Sequence, residues 1–211
     1  MTWVVSPTLS KAQRQKDFLG NAKSLADVKP KSGPPLDYSF REITHLSEIL
    51  EEEPNSGRPK SVPPLPGEAM KTELNTVALR LSNNSIPSLE GLPELLEQTL
   101  DKPDELAWLD LSFNELTSID DLVLQYPNLS VLYLHANKLG NIKQVKKLAR
   151  LPRLSKLTLH GNPMEELNHP NYRTQVLAFL PNLKSLDFIG VTKVDREKAN
   201  VWTERMKHRQ R

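Results

Sequence analysis

Three side chains with chemical potential stand at one phase of this chain. Ser112, His135 and His160 lie 23 and 25 residues apart, and each precedes an asparagine by two positions (Asn114, Asn137, Asn162). In a repeating chain, equal phase puts such groups in one row, with neighbours roughly 5 Å apart. His135 and His160 could then share a metal ion, or His135 could act as a base for Ser112. A zinc site needs a third and a fourth ligand, and the phase-matched Ser112 and Ile189 do not complete it. A serine nucleophile needs a carboxylate behind its histidine and donors for an oxyanion. Neither follows in this row. The chain also contains no cysteine, no G-x-G-x-x-G and no phosphate loop, which removes thiolate sites and the common nucleotide cradles. The expectation is no enzyme, no metal site, no cofactor and no small-molecule substrate.

The elements that position this row are repeats. Leu106-x-x-Leu109-x-Leu111-x-x-Asn114-x-Leu116 recurs as Leu129-x-x-Leu132-x-Leu134-x-x-Asn137-x-Leu139 and as Leu154-x-x-Leu157-x-Leu159-x-x-Asn162-x-Met164. A copy at Leu79-x-Leu81-x-x-Asn84-x-Ile86 has Thr76 in place of the first leucine, and Leu183-x-x-Leu186-x-Phe188 has Val191 in place of the asparagine. This is the leucine-rich-repeat pattern. It predicts an α/β solenoid of four to five repeats, with a parallel sheet on the concave face and helices or turns on the convex face. Alternating leucines turn inward along each short strand, and stacked repeats bury a core that no single repeat could close alone. The asparagine amide supplies a donor and an acceptor to the backbone of each bend, so a ladder of asparagines is expected beside the leucine stack.

Outward strand positions then form the recognition face. In register these are Arg80 and Ser82; Trp108, Asp110 and Ser112; Val131, Tyr133 and His135; Lys156, Thr158 and His160; and Asp187. The candidate protein-binding set is Arg80, Trp108, Asp110, Tyr133, His135, Thr158, His160 and Asp187, with Trp108 and Tyr133 as exposed aromatic anchors. On that reading, truncating both aromatics abolishes partner capture and leaves the thermal melt nearly unchanged. On the convex side, Leu92, Leu95, Leu96 and Leu100 have helical spacing, as do Ile142, Val145 and Leu148. The second group leaves Lys143, Lys146, Lys147 and Arg150 toward solvent.

Charge and proline divide the chain. The net charge of +2 averages segments of +4 (Met1 to Pro35), −3 (Leu36 to Thr72), −3 (Glu73 to Thr192) and +4 (Lys193 to Arg211). Glu90 to Asp121 holds ten acids and one base, whereas Lys138 to Lys156 holds seven bases and no acid. Opposite-signed faces on one scaffold follow. Nine of the 17 prolines fall in the first 66 residues, so the expected organisation is a basic extended arm (1–35), a short helix and proline-rich linker (36–72), the repeat domain with its C-terminal cap (73–192) and a basic terminal helix (193–211). Within 36–72, Ile43, Leu46, Ile49 and Leu50 predict a short amphipathic helix that either caps the first repeat, the favoured placement, or docks elsewhere. In the terminal helix Asp195 is the expected cap, Ala199, Trp202 and Met206 form one stripe, and Arg205, Lys207, Arg209 and Arg211 carry charge. The sequence has no apolar run long enough for a membrane span, and its first residues carry Lys11, Arg14, Lys16 and Asp17 where a secretory segment would be apolar. Soluble, intracellular protein is the expectation.

Several stretches carry a more specific resemblance. Pro34-Pro35-Leu36-Asp37-Tyr38-Ser39-Phe40-Arg41, Leu106-Ala107-Trp108-Leu109-Asp110-Leu111-Ser112-Phe113-Asn114, Ser130-Val131-Leu132-Tyr133-Leu134-His135, Thr158-Leu159-His160-Gly161-Asn162-Pro163-Met164-Glu165-Glu166 and Gly190-Val191-Thr192-Lys193 resemble the leucine-rich-repeat-containing protein fifty-one family. The stretch after Asn162 also resembles the cap of small repeat proteins such as the U2 A-prime spliceosomal protein and phosphatase regulators. The first resemblance implies a non-enzymatic interaction protein of the cytoplasm or the ciliary axoneme, with axonemal proteins or tubulin as partners. Acidic microtubule surfaces suit the basic ends, and nucleic acid ranks below them because no paired stacking aromatics accompany the bases. The second keeps a regulatory adaptor of a phosphatase or a ribonucleoprotein in view.

Overall fold

The computed structural model describes residues 33–57 and 76–209. The basic arm up to residue 32, the linker over 58–72, the first three residues of the expected repeat domain (73–75), residues 210–211, Arg211 among them, and the side chain of Arg209 lie outside the described residues. Among the described residues seven strands form one sheet in chain order: β1 (Leu36–Asp37), β2 (Ala78–Arg80), β3 (Trp108–Asp110), β4 (Val131–Tyr133), β5 (Lys156–Thr158), β6 (Ser185–Leu186) and β7 (Ile189–Gly190). Pairing is parallel from β1 to β6 and antiparallel between β6 and β7. Leu79, Leu109, Leu132, Leu157 and Leu186 stand opposite one another across the sheet, and all are buried. Between the strands the chain runs along the convex side, which carries α1 (Leu92–Thr99), α2 (Pro163–Leu167), α3 (Tyr172–Phe179) and 3₁₀ helices at Leu46–Glu51, Pro103–Glu105, Asp121–Gln125 and Ile142–Arg150. The α/β repeat solenoid expected from the leucines is the fold observed.

The asparagine ladder is complete across four repeats. Asn137 donates from Nδ2 to the carbonyls of Leu111 and Leu134 at 2.9 and 3.0 Å, and its Oδ1 accepts from the Leu116 amide at 3.0 Å. Asn114 and Asn162 repeat this arrangement one coil earlier and one coil later. Asn84 binds Leu81 and reaches back to Tyr38, Arg41 and Ile43. Each amide thereby satisfies buried backbone groups that would otherwise cost about 1–3 kcal/mol apiece. The bend itself belongs to the residue before the asparagine: Asn83, Phe113, Ala136 and Gly161 have φ of 59°, 55°, 54° and 70°. Gly161 and, more weakly, Asn83 advertise this left-handed conformation in the sequence, whereas Phe113 and Ala136 do not.

The edges of the array close differently. At the first edge β1 adds a strand that the repeat pattern did not contain. Its Asp37 pairs with Ser56, and Asn55 binds the backbone of Asp37 and the carbonyl of Ser39. Asn55 and Ser56, which fall within the expected helix-and-linker segment, are therefore part of the sheet edge. Gly57 is required there, since its φ is +84° and a Cβ would lie 2.6 Å from the Pro35 carbonyl oxygen. Leu46 and Ile49 are buried, whereas Leu50 is 45% exposed, because the tighter 3₁₀ turn rotates it off the buried stripe. At the other edge α3 packs on the terminal helix α4 (Lys193–Arg209). Phe179 meets Trp202 edge to face at 5.7 Å, and Ala199 is buried. The cap of α4 is Thr192: its Oγ1 accepts from the Asp195 amide at 3.1 Å, and Asp195 accepts from the Thr192 amide at 3.0 Å. Asp195 is thus the second half of a capping box, one turn inside the helix.

Candidate protein-interaction face

The register fixes the concave rows. Arg80, Asp110, Tyr133 and Thr158 occupy one line across β2 to β5, and Trp108, Val131 and Lys156 occupy the line two residues earlier. Beyond the strands, Ser82, Ser112, His135 and His160 form the row anticipated from their spacing. Access along these rows differs from the expectation. Trp108 and Tyr133 are each 1% exposed, and Arg80, Asp110, His135 and Thr158 are buried as well.

Their contacts with one another explain part of that burial. Strands about 4.8 Å apart let long side chains lie across their neighbours. The Arg80 guanidinium sits 5.2 Å over the Trp108 ring and faces Asp37 and Asp110 at 3.5 and 3.6 Å. Trp108 in turn meets Tyr133 edge to face at 5.7 Å. Asp37 and Asp110 each accept a hydroxyl and an amide from the serine two residues on, Ser39 and Ser112. Burial raises the Asp110 carboxyl, with the Ser112 hydrogen bonds and Arg80 opposing the rise.

The histidine row is occupied in the same way. His135 and His160 stack with centroids 4.7 Å apart and planes 10° from parallel. His135 Nδ1 pairs with Thr158 Oγ1 at 2.8 Å, and His160 Nδ1 lies 3.4 Å from Asp187 Oδ1. Burial, reinforced by the neighbouring His160, pushes His135 down to about 3. Ser112 donates its hydroxyl to Asp110 at 2.6 Å, so its proton goes to a carboxylate and not to His135. Among the described residues no group of three or more His, Cys, Asp or Glu side chains could hold a metal ion.

At the last repeat two consecutive left-handed residues, Asp187 (φ 53°) and Phe188 (φ 63°), exchange the roles expected from the pattern. Asp187 was expected to face a partner. Instead its Oδ1 accepts the amides of Leu159 and His160 at 2.7 and 3.0 Å, and its Oδ2 accepts the Tyr172 hydroxyl at 3.0 Å. Burial would raise this carboxyl, but the hydrogen bonds from His160 and the two amides outweigh it and hold Asp187 below the usual range. Phe188 was expected to turn inward. It lies instead over the concave row, touching Tyr133, His135 and His160 with centroids 5.4 to 5.7 Å away, and is 47% exposed. Phe188, half-buried Phe113 and His160 make the accessible end of an otherwise enclosed aromatic face. Phe188 could have been found from the missing asparagine three residues on, at Val191, which signals that the regular turn is lost.

The convex bases are distributed unevenly. Lys143 and Arg150 are exposed, Lys146 lies 4.9 Å over the Phe179 ring, and Lys147 pairs with Asp121 and with the Ile119 carbonyl, both at 3.1 Å. On α4, Lys207 pairs with Glu204 at 2.8 Å and Arg205 is exposed. Arg173, which the sequence did not single out, holds this end together. It contacts Asp195 at 3.0 Å and the carbonyls of Leu186 and Gly190 at 3.3 and 3.2 Å, holding Asp195 far below the usual carboxylate range.

Comparison with known proteins agrees with the fold. A family model described as leucine-rich repeat matches residues 69–210. Leucine-rich repeat-containing protein 51 of Homo sapiens is 48% identical over 169 residues, which is 80% of this chain and 84% of that protein. The chain belongs to the leucine-rich repeat-containing protein 51 family. The Mus musculus member of this family is 44% identical over the same share of both chains. Among solved structures, a chain of the Drosophila melanogaster SNF/U2A' complex aligns over 89% of this chain and 96% of its own, with a TM-score of 0.54 at 19% identity. That likeness shows the fold. As a leucine-rich-repeat family member the chain is a protein-interaction scaffold of a generally non-enzymatic class. Among the described residues no helix is long and apolar enough to cross a membrane.

Proposed function

We propose that this protein is a structural adaptor of the ciliary or flagellar axoneme, binding a protein partner at the open aromatic end of its concave face and contacting the acidic surface of microtubules through its convex bases. The observation that carries the adaptor reading is the division of the concave row. Arg80, Trp108, Asp110, Tyr133, His135 and Thr158 are buried in mutual contacts and act as a rigid floor, while Phe188 stands over them 47% exposed. A half-exposed aromatic on a floor that cannot relax is a preorganised anchor. Exposed Lys143 and Arg150 supply the charge for an acidic filament, and the axonemal setting rests on the family resemblance.

The test is cosedimentation with microtubules. Binding that falls as salt is raised, and falls further when Lys143 and Arg150 are replaced by glutamate, supports this function. Binding indifferent to both, or a nuclear location of the tagged protein in ciliated cells, removes it. A regulatory adaptor for a phosphatase or a ribonucleoprotein is the second reading, motivated by a fold shared with a chain of the SNF/U2A' complex. Copurification of a phosphatase catalytic subunit or of small nuclear RNA would favour it.

A further inference from the structure

The two ends of the solenoid carry complementary surfaces that no contact within the described residues uses. Near the first edge, a groove of about 500 Å³ runs between the Leu46–Glu51 turn and α1. Leu50, 45% exposed, lies along it, with buried Leu46 and Leu95 in its walls. Glu90, Glu94 and Gln98, spaced by four residues, line the α1 side and are exposed. At the far edge, α4 turns Ala199 and Trp202 toward α3 and leaves another stripe to solvent. This stripe reads Val194, Lys198, Val201, Arg205 at intervals of four, three and four, with Val194 57% and Val201 51% exposed. Acids flank an exposed leucine at one end, and bases flank exposed valines at the other.

We propose that α4 of one copy docks in the Leu50 groove of a second copy, so that the protein associates head to tail. Val194 and Val201 cover Leu50, and Lys198 and Arg205 face Glu90 and Glu94. Helix-in-groove recognition uses this stripe spacing, and the unlike charges set the direction of approach. One copy cannot close the contact on itself. The groove lies between the turn after β1 and the helix after β2, and α4 packs on α3, which lies between β5 and β6, so about four strand spacings, roughly 19 Å, separate them. A contact between two different patches is heterologous, and it continues from copy to copy unless a ring closes.

The test is sedimentation equilibrium on the full chain from about 5 to about 500 µM, where small interfaces dissociate. The weight-average mass is expected to rise with concentration and to fall back when salt reaches about 0.5 M. A groove variant, Glu90→Lys with Glu94→Lys, and a helix variant, Lys198→Glu with Val201→Asp, should each lose association at least tenfold. Every substituted side chain is exposed, and an unchanged circular-dichroism melt checks that the variants fold. Mixed in equal amounts, the two variants should form a one-to-one dimer and nothing larger, since each retains the half that the other lacks. A monomeric mass for the wild type across the whole range overturns the proposal. So does association that survives the groove variant, which would place the α4 stripe on another partner.

Discussion

Arg80 spans two carboxylates from two different strands, Asp37 on β1 and Asp110 on β3, while its guanidinium covers the face of Trp108 at 5.2 Å. The tryptophan is thereby a structural element of three adjacent strands. Replacing Trp108 with alanine should destabilise the fold by about 3–5 kcal/mol, the usual cost of emptying an aromatic site. A urea titration checks this. A midpoint within error of the wild type would return Trp108 to the status of a free surface anchor.

Asn137→Ala should cost about 3 kcal/mol or more. It removes the bonds donated to the Leu111, Leu134 and His135 carbonyls and the one accepted from the Leu116 amide. Asn137→Asp should recover only part of the loss, because a carboxylate keeps the acceptor and loses both donors. Hydrogen exchange at the Leu116 amide reads the local effect apart from the global one.

Acid sensitivity should begin well above the carboxylate range. His135 titrates at about 3 in the fold, against about 6.5 unfolded. Between those values the unfolded chain binds one more proton than the native one, so this contribution is complete above the unfolded value and shrinks as pH falls. The slope is about 1.4 kcal/mol per pH unit. Asp187, lowered in the fold, adds a loss of the same sign once pH drops through the carboxylate range. His135→Asn should flatten the stability profile between pH 6 and 4, measured by denaturant unfolding at a series of pH values. An unchanged slope in the variant would locate the acid sensitivity elsewhere.

Phe188→Asp should separate stability from recognition. Phe188 is 47% exposed, so its loss should move the melt by no more than about 1 kcal/mol. Capture of the concave-face partner should fall at least tenfold, the scale of a lost aromatic anchor. Retained capture with Phe188 gone would remove the aromatic end as the binding site.

The sequence made the buried frame easy to read and the accessible surface hard to read. Leucines and asparagines at fixed intervals specify the stack because each has one direction to face and one set of backbone groups to satisfy. The direction of Trp108 and Tyr133 was equally legible from the alternation of the strand. Their burial was not, since it depends on side chains from other strands: Arg80 over one ring, Phe188 over the other. Asp187 and Phe188 exchanged roles because both residues adopt positive φ, a backbone event with no glycine to announce it. The strand at Leu36–Asp37 was too short for periodicity to register and is fixed by pairing with Arg80 and Ser56.

The asparagines of successive repeats stand 30, 23 and 25 residues apart, yet β2, β3, β4 and β5 pair one to one without a slip. The additional residues of the first interval emerge opposite the sheet, as α1 and the short turn at Pro103–Glu105. The molecule therefore tolerates change in length on one side only. A short insertion grafted at Asp101–Lys102, between those two elements, should leave the concave surface in place, whereas one residue added between Trp108 and Asn114 would turn the side chains between it and the asparagine to the wrong face of their strand. Such a scaffold can acquire a new outer loop, by evolution or by engineering, without redesigning what its inner face holds.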